Sequence, residues 1–173
     1  MTSTVAMLHA RALSASACRG VLIAGNLRVP CAFGRSGVSS LKREGDGATP
    51  RGIWPLRHVL VRPGIRVKGR LLAYRLGRND GWCDDPSDRN YNHRVKLPYS
   101  ASYEPLWRDD ELYDVIVVLG YNDRPRKRGA GSAVFFHLAD PQSGPTAGCI
   151  AVSRKDMLKI LSLCGPGTRL RVW

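Results

Sequence analysis

The sequence predicts a mostly β domain with one short helix near its C-terminus, and three observations lead there. Apolar residues fall in short runs bounded by glycine, proline or asparagine, the pattern of strands and turns. The 18 glycines and 11 prolines are enough to punctuate many such runs. Helical periodicity is confined to one segment after Ser153. At 173 residues the chain is long enough for one sizeable core and too short to expect two.

Residues 1–20 are rich in small side chains, and Ala15-Ser16-Ala17 before Cys18 resembles a cleavage site. His9 and Arg11 interrupt the apolar stretch and no positive charge precedes it, so the expectation is a disordered extension or an atypical leader. The folded domain is expected over 21–173. Val21 to Ala24 and Leu27 to Phe33, joined by Gly25-Asn26, predict a hairpin with a two-residue turn, Leu27, Val29, Cys31 and Phe33 sharing a face. A polar loop follows, and Pro50-Arg51-Gly52 turns into a strand from Ile53 to Val61. A shorter strand is expected at Leu71 to Leu76, with a turn at Asn79-Asp80-Gly81.

Beyond that turn, Trp82, Asp84 and Tyr91 fall in an expected irregular loop and are candidates for a peptide or sugar groove. The alternative is that the aromatic rings pack the loop down while the carboxylates cap turns. Arg51, Arg89 and Arg94 are candidate partners for substrate carboxylates. Tyr113 to Leu119 is apolar on both faces and predicts a central strand. Ala133 to Phe136 predicts a buried strand that delivers His137 at its end, and Asp140, Pro141, Ser143, Gly144 and Pro145 force irregular backbone before Ile150 and Val152 resume a strand. Ser153 with Asp156 forms a capping box, Met157, Leu158, Leu161 and Cys164 make one apolar stripe, and Gly165-Pro166 ends the helix. Thr168 to Trp173 predicts a closing strand.

The net charge of +13 favours polyanions in general and chooses none of them. Its densest run, Arg124 to Arg128, has no interleaved aromatic residues and no nucleic-acid motif accompanies it, so no specific nucleic-acid partner is expected. Five irregularly spaced cysteines without a CxxC argue against a disulfide framework or a zinc ribbon, and no metal is expected. No apolar run reaches the ~18 residues of a membrane-spanning helix.

The chemistry concentrates between His137 and Cys149. A thiol becomes a strong nucleophile as the thiolate, and an adjacent imidazole is the usual group that takes its proton. Gly148 permits tight backbone before the thiol, and the amides of Gly148 and Cys149 are candidate oxyanion donors. These residues resemble the L,D-transpeptidase catalytic domain family (YkuD-like), whose signature is a His, a variable loop, then Ser/Thr-His-Gly-Cys and an apolar residue. His137 matches the first His, and Thr146, Gly148, Cys149 and Ile150 match the later block. Thr49-Pro50-Arg51-Gly52-Ile53-Trp54 resembles the family's Thr-Pro-x-Gly-x-aromatic hairpin, and the likeness covers about residues 20 to 173. Ala147 stands where many members have a second His, Ala151 where many have Asn or Arg, and the loop is shorter than in commoner members.

The resemblance implies an L,D-transpeptidase-like β-sandwich and an extracytoplasmic cysteine acyltransferase, periplasmic or associated with the cell wall, that needs no cofactor. It implies peptidoglycan stem peptides as donors, with the amine of a second stem or of an outer-membrane lipoprotein as acceptor. An L,D-carboxypeptidase using water, or a non-catalytic basic β module binding wall polymer, are the alternatives.

Overall fold

In the computed structural model of the chain, residues 4–139, 142 and 144–173 are described. Asp140, Pro141 and Ser143, expected in the irregular backbone, lie outside the described residues. The first three strands are β1 (Met7–Ala12), β2 (Arg19–Ala24) and β3 (Leu27–Ala32), antiparallel neighbours in chain order. Part of the segment expected to be a disordered extension is therefore a strand. Leu8 and Ala10 are fully buried, alternating with His9 and Arg11, and the two polar residues hid that period of two in the sequence. The β2–β3 hairpin turns at Gly25-Asn26 as expected.

Short strands β4 (Val38–Ser39) and β5 (Thr49–Pro50) bracket the polar loop. The long β6 (Gly52–Val61) follows, then β7 (Ala73–Arg75), shorter than the Leu71 to Leu76 expectation. A separate three-stranded sheet, in the order β10-β8-β9, holds β8 (Asp80–Cys83), β9 (His93–Lys96) and β10 (Tyr103–Pro105). Here the expectation of an irregular loop beginning at a turn is corrected, since Asp80 to Cys83 form a buried strand. The charge of Asp80 is tolerated there because Arg94 and Lys96 on β9 both reach its carboxylate.

The remaining elements are β11 (Val115–Leu119), β12 (Phe135–Leu138), β13 (Ile150–Val152), α1 (Arg154–Leu163) and β14 (Arg169–Val172). The main sheet runs β11-β12-β13-β3-β2-β1-β14-β6-β7, and β11 also pairs with β6, so the hydrogen-bond ladder closes on itself. Strand β6 makes this closure by pairing with β14 along Gly52–Pro55 and with β11 along Leu56–Val61. The core lies between the curled layers, built on Leu22, Phe33, Val59, Val117, Phe136 and Leu170. In α1, Ser153 caps the start by accepting from the Asp156 N–H. Met157, Ile160, Leu161 and Cys164 bury themselves in the same core, with Ile160 rather than Leu158 completing the stripe. Among the described residues no helix is long and apolar enough to cross a membrane.

Candidate active site

Strands β12 and β13 are parallel neighbours, with Phe136 opposite Ile150 and His137 opposite Ala151. Alternation along each strand sends Phe136, Leu138, Ile150 and Val152 into the main core. Phe135, His137, Cys149 and Ala151 are left on the opposite face, where the last three line a cleft. Cys149 comes immediately before β13 and so lies level with Phe135, whose backbone N–H donates to Sγ at 3.3 Å. The thiol in turn donates to the Ala133 carbonyl at 3.2 Å.

His137 Nδ1 lies 2.8 Å from the Leu138 carbonyl oxygen. A carbonyl only accepts, so Nδ1 carries the proton and Nε2 keeps a lone pair. The edge of Tyr113 braces the ring, with centroids 5.0 Å apart. Burial pushes the Cys149 thiol up to about 12 and lowers His137 to about 4. The resting pair is therefore neutral thiol and neutral imidazole, each anchored to backbone.

The turn that carries the thiol is clamped from several segments. Thr146 bridges to the exit of β3, its N–H donating to Phe33 O and its carbonyl accepting from Arg35 N, both at 2.9 Å. Thr146 Oγ1 donates to the Cys149 carbonyl at 2.7 Å and accepts the Gly148 N–H at 3.1 Å. Thr49 Oγ1 donates to the same carbonyl at 3.2 Å and accepts from Gly34 N at 2.8 Å. Gly148 has φ +138°, and a Cβ there would sit 2.9 Å from the Ala48 carbonyl oxygen. Only glycine accommodates both the backbone angle and the contact.

The cleft measures about 590 Å³. Asp84 lines it, as the sequence suggested, whereas Trp82 and Tyr91 are buried beneath its wall and Arg51 does not border it. The Trp82 indole N–H donates to Asn92 at 2.9 Å, and the Tyr91 hydroxyl donates to Glu44 at 2.5 Å, both scaffolding bonds. Arg94 is committed to Asp80.

Four wall residues went unnoticed as site groups in the sequence. Lys42 is almost fully buried, holds Asp46 at 2.5 Å, and its charge favours the Cys149 thiolate. Tyr113 donates its hydroxyl to Glu104 at 2.5 Å. Arg108 lies over the Tyr113 ring at 5.1 Å and is paired with Asp110. Glu104, on the short strand β10, and Lys42, in the loop after β4, come from segments distant in sequence, and no local pattern marks them. Among the described residues no group of three or more His, Cys, Asp or Glu side chains is placed to hold a metal ion.

The β-rich domain thus sets a thiol and an imidazole on one face of adjacent parallel strands, opening on a mixed-charge cleft. The model of the YkuD family, the L,D-transpeptidase catalytic domain, matches residues 19–172, and the chain is a member of that family. The family consists of L,D-transpeptidases, acyltransferases that act on peptidoglycan and are generally extracytoplasmic. No curated protein matches the chain.

Proposed function

We propose that the chain is a peptidoglycan L,D-transpeptidase in which Cys149 is the nucleophile and His137 the general base, acting in the periplasm or at the cell wall. The observation that carries this reading is the β12–β13 register, which sets both side chains on one cleft face, while the Leu138 carbonyl accepts from Nδ1–H of His137 and leaves Nε2 as the basic nitrogen.

On this reading Cys149 Sγ attacks the carbonyl of the third residue of a tetrapeptide stem, a diamino acid, while its proton passes to His137 Nε2. The developing oxyanion takes the backbone N–H groups of Cys149 and Gly148, the latter shared with Thr146 Oγ1. Collapse breaks the C–N bond to the terminal D-Ala, whose amine leaves with the proton from His137, and a thioester remains. An acceptor amine then attacks the thioester, gives its proton to His137, and the expelled thiolate recovers that proton. The acceptor is a second stem or the lysine of an outer-membrane lipoprotein, and water in its place gives carboxypeptidase products.

The test is intact-protein mass after incubation with a carbapenem, which acylates such thiols, followed by muropeptide analysis with stem donors. The expected result is one adduct on wild type and none on Cys149→Ala, with His137→Ala slowed by orders of magnitude. A well-folded wild type that gains no mass and leaves muropeptides unchanged would overturn the reading in favour of a polymer-binding module.

A further inference from the structure

Glu104 is a charged cleft residue that this mechanism leaves without a task. It sits at the middle of β10, opposite Trp82 of β8, on the wall that faces the thiol. Its Oε1 accepts the Tyr113 hydroxyl, and among the described residues no lysine or arginine forms an ion pair with it. Arg108, the guanidinium facing it, is spent on Asp110 through three hydrogen bonds. Burial raises the Glu104 pKa against the Tyr113 hydroxyl and the charge of Arg108, and the negative charges of Asp84 and Glu44 add to the rise. The carboxyl group is thus anchored by a phenol and, among the described residues, has no direct ion pair.

That anion also acts on the nucleophile. Around Cys149, burial opposes the thiolate most and the charge of Glu104 next, while the Phe135 N–H and Lys42 favour it, and His137 is neutral. A fixed negative charge beside a nucleophile that must become negative slows the empty enzyme. It assists turnover only when the ligand brings the missing cation. A primary ammonium has the charge and the donors to accept a carboxylate partner in a cleft of this size.

We propose that Glu104, held in place by Tyr113, is the contact for a primary ammonium group of the substrate peptide, and that seating this ammonium switches the Cys149 thiol toward attack. The proposal rests on the acyl-transfer reading and adds to it a selectivity: peptides with a free amine near the scissile carbonyl react, and the same peptides with that amine blocked do not. The ammonium is that of the donor's diamino-acid side chain, the one present when Cys149 attacks.

Glu104→Gln, with Glu104→Asp as the variant that keeps the charge, tests this in two assays after thermal melts establish folding. In the first, iodoacetamide alkylation of Cys149 is followed against pH without substrate. Glu104→Gln is expected to alkylate roughly tenfold faster near neutral pH than wild type, and Glu104→Asp to stay close to wild type. In the second, thioester formation is timed by mass with donor stems whose side-chain amine is free or acetylated. Wild type is expected to prefer the free amine at least tenfold, and Glu104→Gln to lose that preference. A preference that survives Glu104→Gln, or a wild type indifferent to acetylation of the donor, overturns the proposal. If wild type forms no thioester at all, the acyl-transfer reading fails by itself, and unchanged alkylation of Glu104→Gln overturns the electrostatic link to Cys149 separately.

Discussion

Replacing Gly148 by alanine isolates the backbone geometry that presents the thiol. Its φ of +138° lies where side chains are rarely tolerated, and the added Cβ would meet the Ala48 carbonyl oxygen at 2.9 Å. Holding a non-glycine residue in such a conformation costs about 1–3 kcal/mol. The contact adds to this, because Ala48 O belongs to backbone and cannot swing aside. For a chain of this length 1 kcal/mol corresponds to about 2–4 °C in Tm, so the melting point is expected to fall by about 2–12 °C. If the chain instead relaxes by rotating the 148–149 peptide, stability is partly recovered, but the two bonds on Cys149 O are lost and the thiol is misdirected. Gly144→Ala is the internal control for stability, since no described residue lies within 4 Å of a Cβ there and its φ is outside the left-handed region. The assay is thermal melting paired with the rate of carbapenem acylation. A Gly148→Ala protein that melts and acylates like Gly144→Ala would refute the claim that this turn is strained to position Cys149.

Thr146→Val removes both the acceptor for Gly148 N–H and one donor to Cys149 O, and is expected to cost about 1–3 kcal/mol in urea unfolding, while Thr146→Ser restores most of it. On the acid side two losses of stability are expected in succession. His137, lowered to about 4, binds a proton more weakly when folded, so stability falls as pH drops from 6.5 toward 4. Asp80, lowered to about 2 through its Arg94, Lys96 and Gly77 partners against the cost of burial, removes more between 3.8 and 2, and Asp80→Asn should flatten that lower limb of the unfolding profile. On the alkaline side Cys31, Cys149 and Cys164 are raised to about 12 by burial, so their contribution is complete below pH 9 and lost as pH climbs toward 12. Cys31→Ala should make that decline shallower in denaturant titrations, whatever it costs at neutral pH.

Much of the fold was legible because its strands are short, strongly patterned and closed by recognisable turns. The hairpin from Val21 to Phe33, the strand reaching Val61 and the Ser153 cap all appear where the residues indicate. Alternation failed at β1, where polar residues mask two buried positions, and at β8, where a buried aspartate mimics a turn signal until Arg94 and Lys96 are brought opposite it. That Cys149 and His137 come together in one cleft was readable from their spacing and motif. Glu104, Tyr113 and Lys42 were not, because they reach the cleft through tertiary contact between segments that share no sequence period. Trp82 and Tyr91 were conspicuous as aromatic residues and serve instead as buried scaffold, which is the commoner use of large rings.

The resting protonation state carries the last step. A pre-formed thiolate–imidazolium pair is disfavoured in the empty cleft, because burial pushes the Cys149 thiol up and the His137 imidazole down, each toward its neutral form. Both shifts arise mainly from burial, and the thiol proton rests on Ala133 O while His137 donates to Leu138 O. On the proposed mechanism, proton transfer then accompanies attack on a bound carbonyl, when oxyanion donors and substrate charge lower its cost together. The expected consequence is that wild type shows no thiolate absorbance in the ultraviolet at neutral pH, alongside the acylation the proposed function predicts. Absorbance of one thiolate equivalent that disappears in Cys149→Ala would refute this, and would mean that the site stores its ion pair before substrate arrives.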